Sequence, residues 1–109
     1  MDDNAATPQD PICSELVQED ESFADIVVEF VDGLSGRLTK MEEALNQSDF
    51  DALRTAAHQL KGSGGGYGYP ILTNHAAQLE SHAKTEAMQD CLDVFEELQR
   101  IAARVVVGP

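Results

Sequence analysis

The chain has 109 residues, 42% of them hydrophobic, and sets 20 acidic against 7 basic side chains for a formal charge of −13. That length and apolar share suit one domain with a single core, and no apolar run approaches the roughly 20 residues of a membrane-spanning helix. The charge argues against nucleic acid, whose phosphates select basic patches, and otherwise marks a solvated surface.

The opening residues, MDDNAATPQDP, carry neither a basic n-region nor an apolar h-region, so no signal peptide is expected. Residues 1–9 read as a flexible acidic tail and residues 10–107 as the folded domain. Cys13 and Cys91 form no CxxC pair and no zinc spacing, which predicts reduced, space-filling thiols in a cytoplasmic protein. A short helix is expected over residues 10–18, after Pro8 and Pro11. A long one follows over residues 21–46, with an apolar stripe of Phe23, Ile26/Val27, Phe30, Leu34, Leu38, Met41 and Leu45 at spacings of three and four.

NQSDF at 46–50 is a turn in which Ser48 or Asp49 can cap the next helix. That third helix carries Phe50, Leu53, Ala56/Ala57, Leu60 and Gly64 on one face and ends in glycines. Pro70 suits the first turn of a fourth helix, whose core side is Leu72, Ala76, Leu79 and Ala83. A fifth is expected over residues 86–105, with Met88, Cys91/Leu92, Phe95, Leu98, Ala102 and Val105 inward. VVVGP at the end reads as a fraying terminus. Helices of this length with short links predict an all-α, antiparallel four-helix bundle with a short extra N-terminal helix.

AAHQLKGSGGGYG, residues 56–68, breaks the pattern, because glycine weakens a helix interior by about 1 kcal/mol relative to alanine. At about 100° per residue, His58 lies about 140° from Leu53 and so points away from the core. Asp51, Arg54, Thr55, Lys61, Gly62 and Gly65 share its side. The helix thus offers solvent an imidazole, an ammonium three residues on, and bare backbone at 62 and 65. An exposed imidazole is a nucleophile near neutral pH, and a missing side chain one turn away lets another protein's surface approach it. Gly64, on the buried face, suits close helix packing, and Gly66 and Gly68 suit helix termination and a turn.

Two rival chemistries fail on spacing. A nucleotide-binding P-loop places its lysine after the glycines and follows a strand, whereas Lys61 precedes them in a helical setting. His75 and His82 are seven apart, without the HExxH spacing or a partner at i+4. No metal and no cofactor are expected.

His58-Gln59-Leu60-Lys61-Gly62-Ser63, with Gly68 ten residues beyond the histidine and Leu79-Glu80 further on, resembles histidine-containing phosphotransfer (HPt) domains, the phosphocarriers of multistep two-component relays. It is also similar to the phosphoacceptor domain of chemotaxis histidine kinases. The motif spans residues 56–80, and the helical layout extends the likeness to about residues 10–105. The resemblance implies that His58 is phosphorylated on a ring nitrogen, that Lys61 sits close to the phosphoryl group, and that Gly62 gives a receiver domain room to dock. It also implies that Glu80 hydrogen-bonds the imidazole and so holds one tautomer. Arg54, Thr55, Gln59, Gly62 and Gly65 are the expected docking contacts. The run of three glycines at 64–66 departs from the family pattern and leaves the length of the third helix open.

The expected function is that of a monomeric phosphocarrier between a histidine or hybrid kinase and a response-regulator receiver, not a self-sufficient enzyme. The receiver would bring the aspartate and Mg²⁺. The alternatives are a chemotaxis-type phosphoacceptor domain and a plain helical adaptor, in which His58 would be inert.

Overall fold

Apolar residues recurring every three to four positions give four long helices, α2 (Ala24–Asn46), α3 (Phe50–Gly66), α4 (Pro70–Lys84) and α5 (Met88–Ala102), preceded by a short α1 (Glu15–Glu19). The computed structural model describes residues 10–108, so the tail predicted at 1–9 lies outside the described residues. Local chemistry sets the helix starts. The Asp49 carboxylate accepts from the Ala52 N–H at 3.0 Å and so caps α3. Pro70 opens α4, where its missing N–H leaves no bond unmade. The three-residue links at 47–49, 67–69 and 85–87 turn successive helices antiparallel. The helices close a ring, with α3 against α2 and α4 and with α5 against α4 and α2. The architecture is the expected all-α four-helix bundle.

The core is fed by every long helix: Val27, Phe30, Leu34, Met41 and Leu45 from α2, Leu53, Ala57 and Leu60 from α3, Leu72, Ala76, Leu79 and Ala83 from α4, and Cys91, Phe95, Leu98 and Ile101 from α5. Where the sequence offered neighbouring candidates, one of each pair is chosen. Val27 and Cys91 are buried while Ile26 and Leu92 are exposed, because adjacent residues point about 100° apart. Phe23 is exposed as well. It belongs to a 3₁₀ turn, Glu21–Phe23, and not to α2, so the phase of the stripe does not reach it.

The chain ends depart from expectation. Residues 10–14 are extended rather than helical, and α5 stops at Ala102. Ile12 and Val105 form a parallel bridge. The Ile12 N–H donates to the Arg104 carbonyl (2.8 Å), the Val106 N–H to the Ile12 carbonyl (2.9 Å), and the Ser14 N–H to the Val107 carbonyl (3.2 Å). The terminal valines, expected as a fraying end, are therefore paired with the N-terminal segment; their β-branched side chains suit this extended pairing.

The α3–α4 turn is sewn into the same seam. The buried Ser14 hydroxyl donates to the Tyr67 carbonyl at 2.7 Å and accepts from the Val17 N–H, capping α1. The Glu15 N–H donates to the Gly68 carbonyl at 2.9 Å. Gly68 takes φ +95, and a Cβ there would run into the Ser14 hydroxyl and lie 2.8 Å from the Glu15 nitrogen. Both conformation and clearance demand glycine. The fully buried Tyr69 donates its hydroxyl to the Val106 carbonyl at 2.6 Å, and burial pushes its pKa up to about 12. Phe30 stacks on Tyr67 with ring centroids 4.7 Å apart.

Candidate functional site

α3 passes through the glycine run without breaking and ends at Gly66. Midway along it His58 stands outward, its side chain 65% exposed. Its Nδ1 lies 3.0 Å from Oε2 of Glu80, which reaches across from α4. The other Glu80 oxygen, Oε1, accepts from the Lys61 ammonium at 2.8 Å. Glu80 is itself buried, one of two buried polar residues among those described. One carboxylate thus holds an imidazole on one oxygen and an ammonium on the other.

That arrangement fixes the proton. The Lys61 hydrogen bond pulls the Glu80 carboxyl below its ordinary value, burial opposes this, and the His58 hydrogen bond adds to the lowering. At neutral pH Glu80 is therefore a carboxylate and has no hydrogen to give. The hydrogen on the 3.0 Å contact must belong to Nδ1, which donates. In the neutral ring Nε2 then keeps its lone pair, on an imidazole that faces solvent.

The surroundings divide by side. A Cβ built at Gly62 meets nothing within 4 Å, so the approach one turn beyond His58 is open. Thr55 and Gln59 are exposed, and Arg54 is too, 3.9 Å from Asp51. Gln59 also lines an open groove of about 440 Å³ between α2 and α3, with Gly33, Gly36, Arg37, Lys40 and Ala56. Gly65 differs from these. Its N–H donates to the Thr73 hydroxyl at 2.7 Å, and a Cβ there would stand 3.1 Å from that oxygen. Gly64 packs against α4, where a Cβ would be 3.0 Å from Leu72 Cβ and 3.1 Å from the Thr73 nitrogen. Two of the glycines therefore face a neighbouring helix, and Gly62 faces open space.

Two contacts escape a reading of the sequence. Lys61, expected beside an incoming phosphoryl group, is held by Glu80, so the two residues are one ion pair and not two separate devices. Thr73 was passed over altogether. Its signal is a hydroxyl residue one turn into α4, opposite a pair of glycines. The remaining histidines are occupied locally: His75 Nδ1 lies 3.0 Å from the Ile71 carbonyl and His82 Nδ1 lies 3.9 Å from Asp90. Among the described residues no group of three or more histidines, cysteines and acids is placed to hold a metal ion. Among the same described residues no helix is long and apolar enough to cross a membrane.

Compared with known protein families, the chain matches the family model described as Hpt domain over residues 25–107. No curated protein and no solved structure matches it.

Proposed function

The chain belongs to the histidine-containing phosphotransfer family, whose members carry phosphoryl groups in phosphorelays and are not in themselves enzymes, and from that premise we propose that His58 is the carrier residue, exchanging a phosphoryl group with an aspartate of a response-regulator receiver domain. The observation that supports this most is the ring itself. Nδ1 is tied to a buried carboxylate and Nε2 is left with its lone pair on an exposed imidazole.

In the proposed step the Nε2 lone pair attacks the phosphorus of the receiver's aspartyl phosphate. The P–N bond forms as the P–O bond to the aspartate breaks, and the aspartate leaves as a carboxylate. The ring becomes cationic with its Nδ1 hydrogen in place, and Glu80 faces that charge at 3.0 Å. Reversal returns the phosphoryl group to an aspartate. The receiver brings its aspartate and Mg²⁺, while this chain supplies an oriented nucleophile. Lys61, only 37% exposed on its pair with Glu80, reaches the phosphoryl group by shifting its ammonium away from Oε1. Docking uses the open side, with Arg54, Thr55, Gln59 and Gly62 around His58. Arg37 and Lys40 along the adjoining groove add positive charge on a chain of −13, which suits a partner that presents carboxylates. We place a monomer of this kind in the cytoplasm, where Cys13 and Cys91 stay reduced.

Receiver domains charged with ³²P acetyl phosphate, and separately phosphoramidate as a small donor, test the assignment. His58→Gln is expected to abolish acid-labile, base-stable label while leaving the helical circular dichroism intact and stability within about 0.5 kcal/mol, as for an exposed side chain. Label that survives, or moves to His75 or His82, overturns it. An unlabelled wild-type protein would instead leave a helical adaptor.

A further inference from the structure

A threonine inside a helix ordinarily turns its hydroxyl back on the carbonyl four residues earlier. Thr73 does not. Its hydroxyl crosses to α3, where it donates to the Lys61 carbonyl at 2.7 Å and accepts from the Gly65 N–H at 2.7 Å. Those two groups are the i and i+4 partners that would pair with each other in an undisturbed helix. The hydroxyl is lodged in the ladder of α3, one turn beyond His58.

We propose that Thr73 is a positioning residue for the His58 site: lodged between the Lys61 carbonyl and the Gly65 N–H, its hydroxyl sets the depth and register of α4 against α3 so that Glu80 meets His58 and Lys61 together. The proposal rests on the reading of His58 as the phosphoryl acceptor.

Thr73 and Glu80 are seven residues apart, two turns of α4, on one face and about 10 Å apart along the axis. Both fasten to the same short stretch of α3. Thr73 holds the backbone of Lys61, and Glu80 holds its side chain and the ring of His58. One fastening would leave α4 free to slide or roll on its apolar contacts, Leu72, Ala76 and Leu79. Two fix it. The distinction matters because apolar packing tolerates small slips, whereas hydrogen bonds at 2.8 and 3.0 Å weaken steeply with distance and angle. The glycines are what admit the hydroxyl. A Cβ at Gly64 would lie 3.2 Å from the Thr73 oxygen and one at Gly65 3.1 Å from it, so side chains at these positions would push the hydroxyl off its two short bonds by a few tenths of an ångström. The bare backbone at 64 and 65 thus serves α4, and through it the ring.

The test measures the His58 ring-nitrogen shifts by ¹⁵N NMR, and the initial rate of labelling by phosphoramidate, in Thr73→Val, Thr73→Ser and Gly65→Ala. Valine keeps the shape of threonine and removes the hydroxyl. Thr73→Val is expected to keep the helical circular dichroism, replace the single Nδ1–H tautomer by a mixture, and label roughly three- to tenfold more slowly, as for a nucleophile that has lost part of its orientation. Thr73→Ser is expected to stay within about twofold of wild type on the same scale. Gly65→Ala strengthens the propensity of α3 and displaces the hydroxyl, so it should reproduce the loss without loss of helix; it carries the test if the valine variant does not fold. Retention of tautomer and rate in Gly65→Ala and in a folded Thr73→Val, or a serine variant as impaired as the valine one, overturns the proposal. If phosphoramidate leaves wild-type His58 unlabelled, the acceptor reading falls, and the tautomer still decides whether Thr73 positions the ring.

Discussion

Ser14 with Tyr67, Gly68 and Tyr69 at the exit of α3, and His58 and Lys61 midway along α3 with Thr73 and Glu80 of α4, form two polar clusters. In the first, the Ser14 hydroxyl ends on the Tyr67 carbonyl and the Tyr69 hydroxyl on the Val106 carbonyl, and both of these residues are wholly buried. Neither of these hydroxyls is left over for chemistry, and the Tyr69 phenol is held neutral up to a pKa of about 12. In the second, the Thr73 hydroxyl also ends on a backbone carbonyl, but Lys61 and His58 meet on the Glu80 carboxylate, and the outermost group, His58, faces solvent with one ring nitrogen unused. Hydrogen bonds of similar length build a seam in one place and a reagent in the other. What separates them is whether the last group in the chain is a buried carbonyl or an exposed base.

Substitutions sharpen that contrast. The largest effect on stability is expected in the seam. Gly68→Ala forces a side chain into φ +95 and against the Ser14 hydroxyl and the Glu15 nitrogen. Thermal or urea unfolding should show a loss of about 2–4 kcal/mol. Phosphoramidate labelling of the folded protein should be unchanged. A parallel loss of labelling in fully folded protein would show the two clusters to be coupled, and the contrast would fail.

The next effect has the opposite sign. Gly62 has open space around it, so Gly62→Ala should raise stability by about 0.5–1 kcal/mol. Gly62→Gln should slow transfer from a receiver protein and leave labelling by phosphoramidate alone. Equal slowing with both donors would mean that Gly62 does not act through access.

The smallest effect is electrostatic. Glu80 titrates below its ordinary 4.5 in the folded protein, with Lys61 as the first cause. A carboxyl with a lowered native pKa contributes stability above the unfolded value, and that contribution is lost as the pH falls from about 4.5 through the native value. Urea midpoints at pH 7 and below pH 4 should therefore fall further for wild type than for Lys61→Met. The difference should stay under about 1 kcal/mol, since the Lys61 ammonium is partly solvated. Identical acid limbs would remove the Lys61–Glu80 pair from the account.

The bundle and its outward histidine were legible because they rest on periodicity. A stripe at three and four residues sets the core, and the same wheel turns His58 away from Leu53. Glu80 could be placed on a flank of α4 by the same arithmetic, although its two simultaneous partners could not. The ends were misread because their structure is non-local: Ile12 is extended only because Val105 lies beside it, and no local pattern carries that pairing. The end of α3 was legible too: propensity ends the helix among the glycines, and it stops at Gly66, with Leu72 and Thr73 packed against Gly64 and Gly65 just before. Thr73 left no trace in periodicity, because its partners belong to another helix.

The stitched ends also bear on the order of folding. The seam joins groups as much as 94 residues apart, Arg104 to Asp10, whereas His58 and Glu80 are separated by 22. Closing the longer loop carries an extra entropic penalty of about 1.3 kcal/mol, from (3/2)RT times the logarithm of the ratio of lengths. The α3–α4 hairpin that carries the histidine is therefore favoured to assemble first and the seam to close late. By the same reasoning, amide protons of Ile12, Ser14 and Val106 should exchange with solvent through local opening well before those of α3 and α4, and His58 keeps its partner while the ends of the domain come apart.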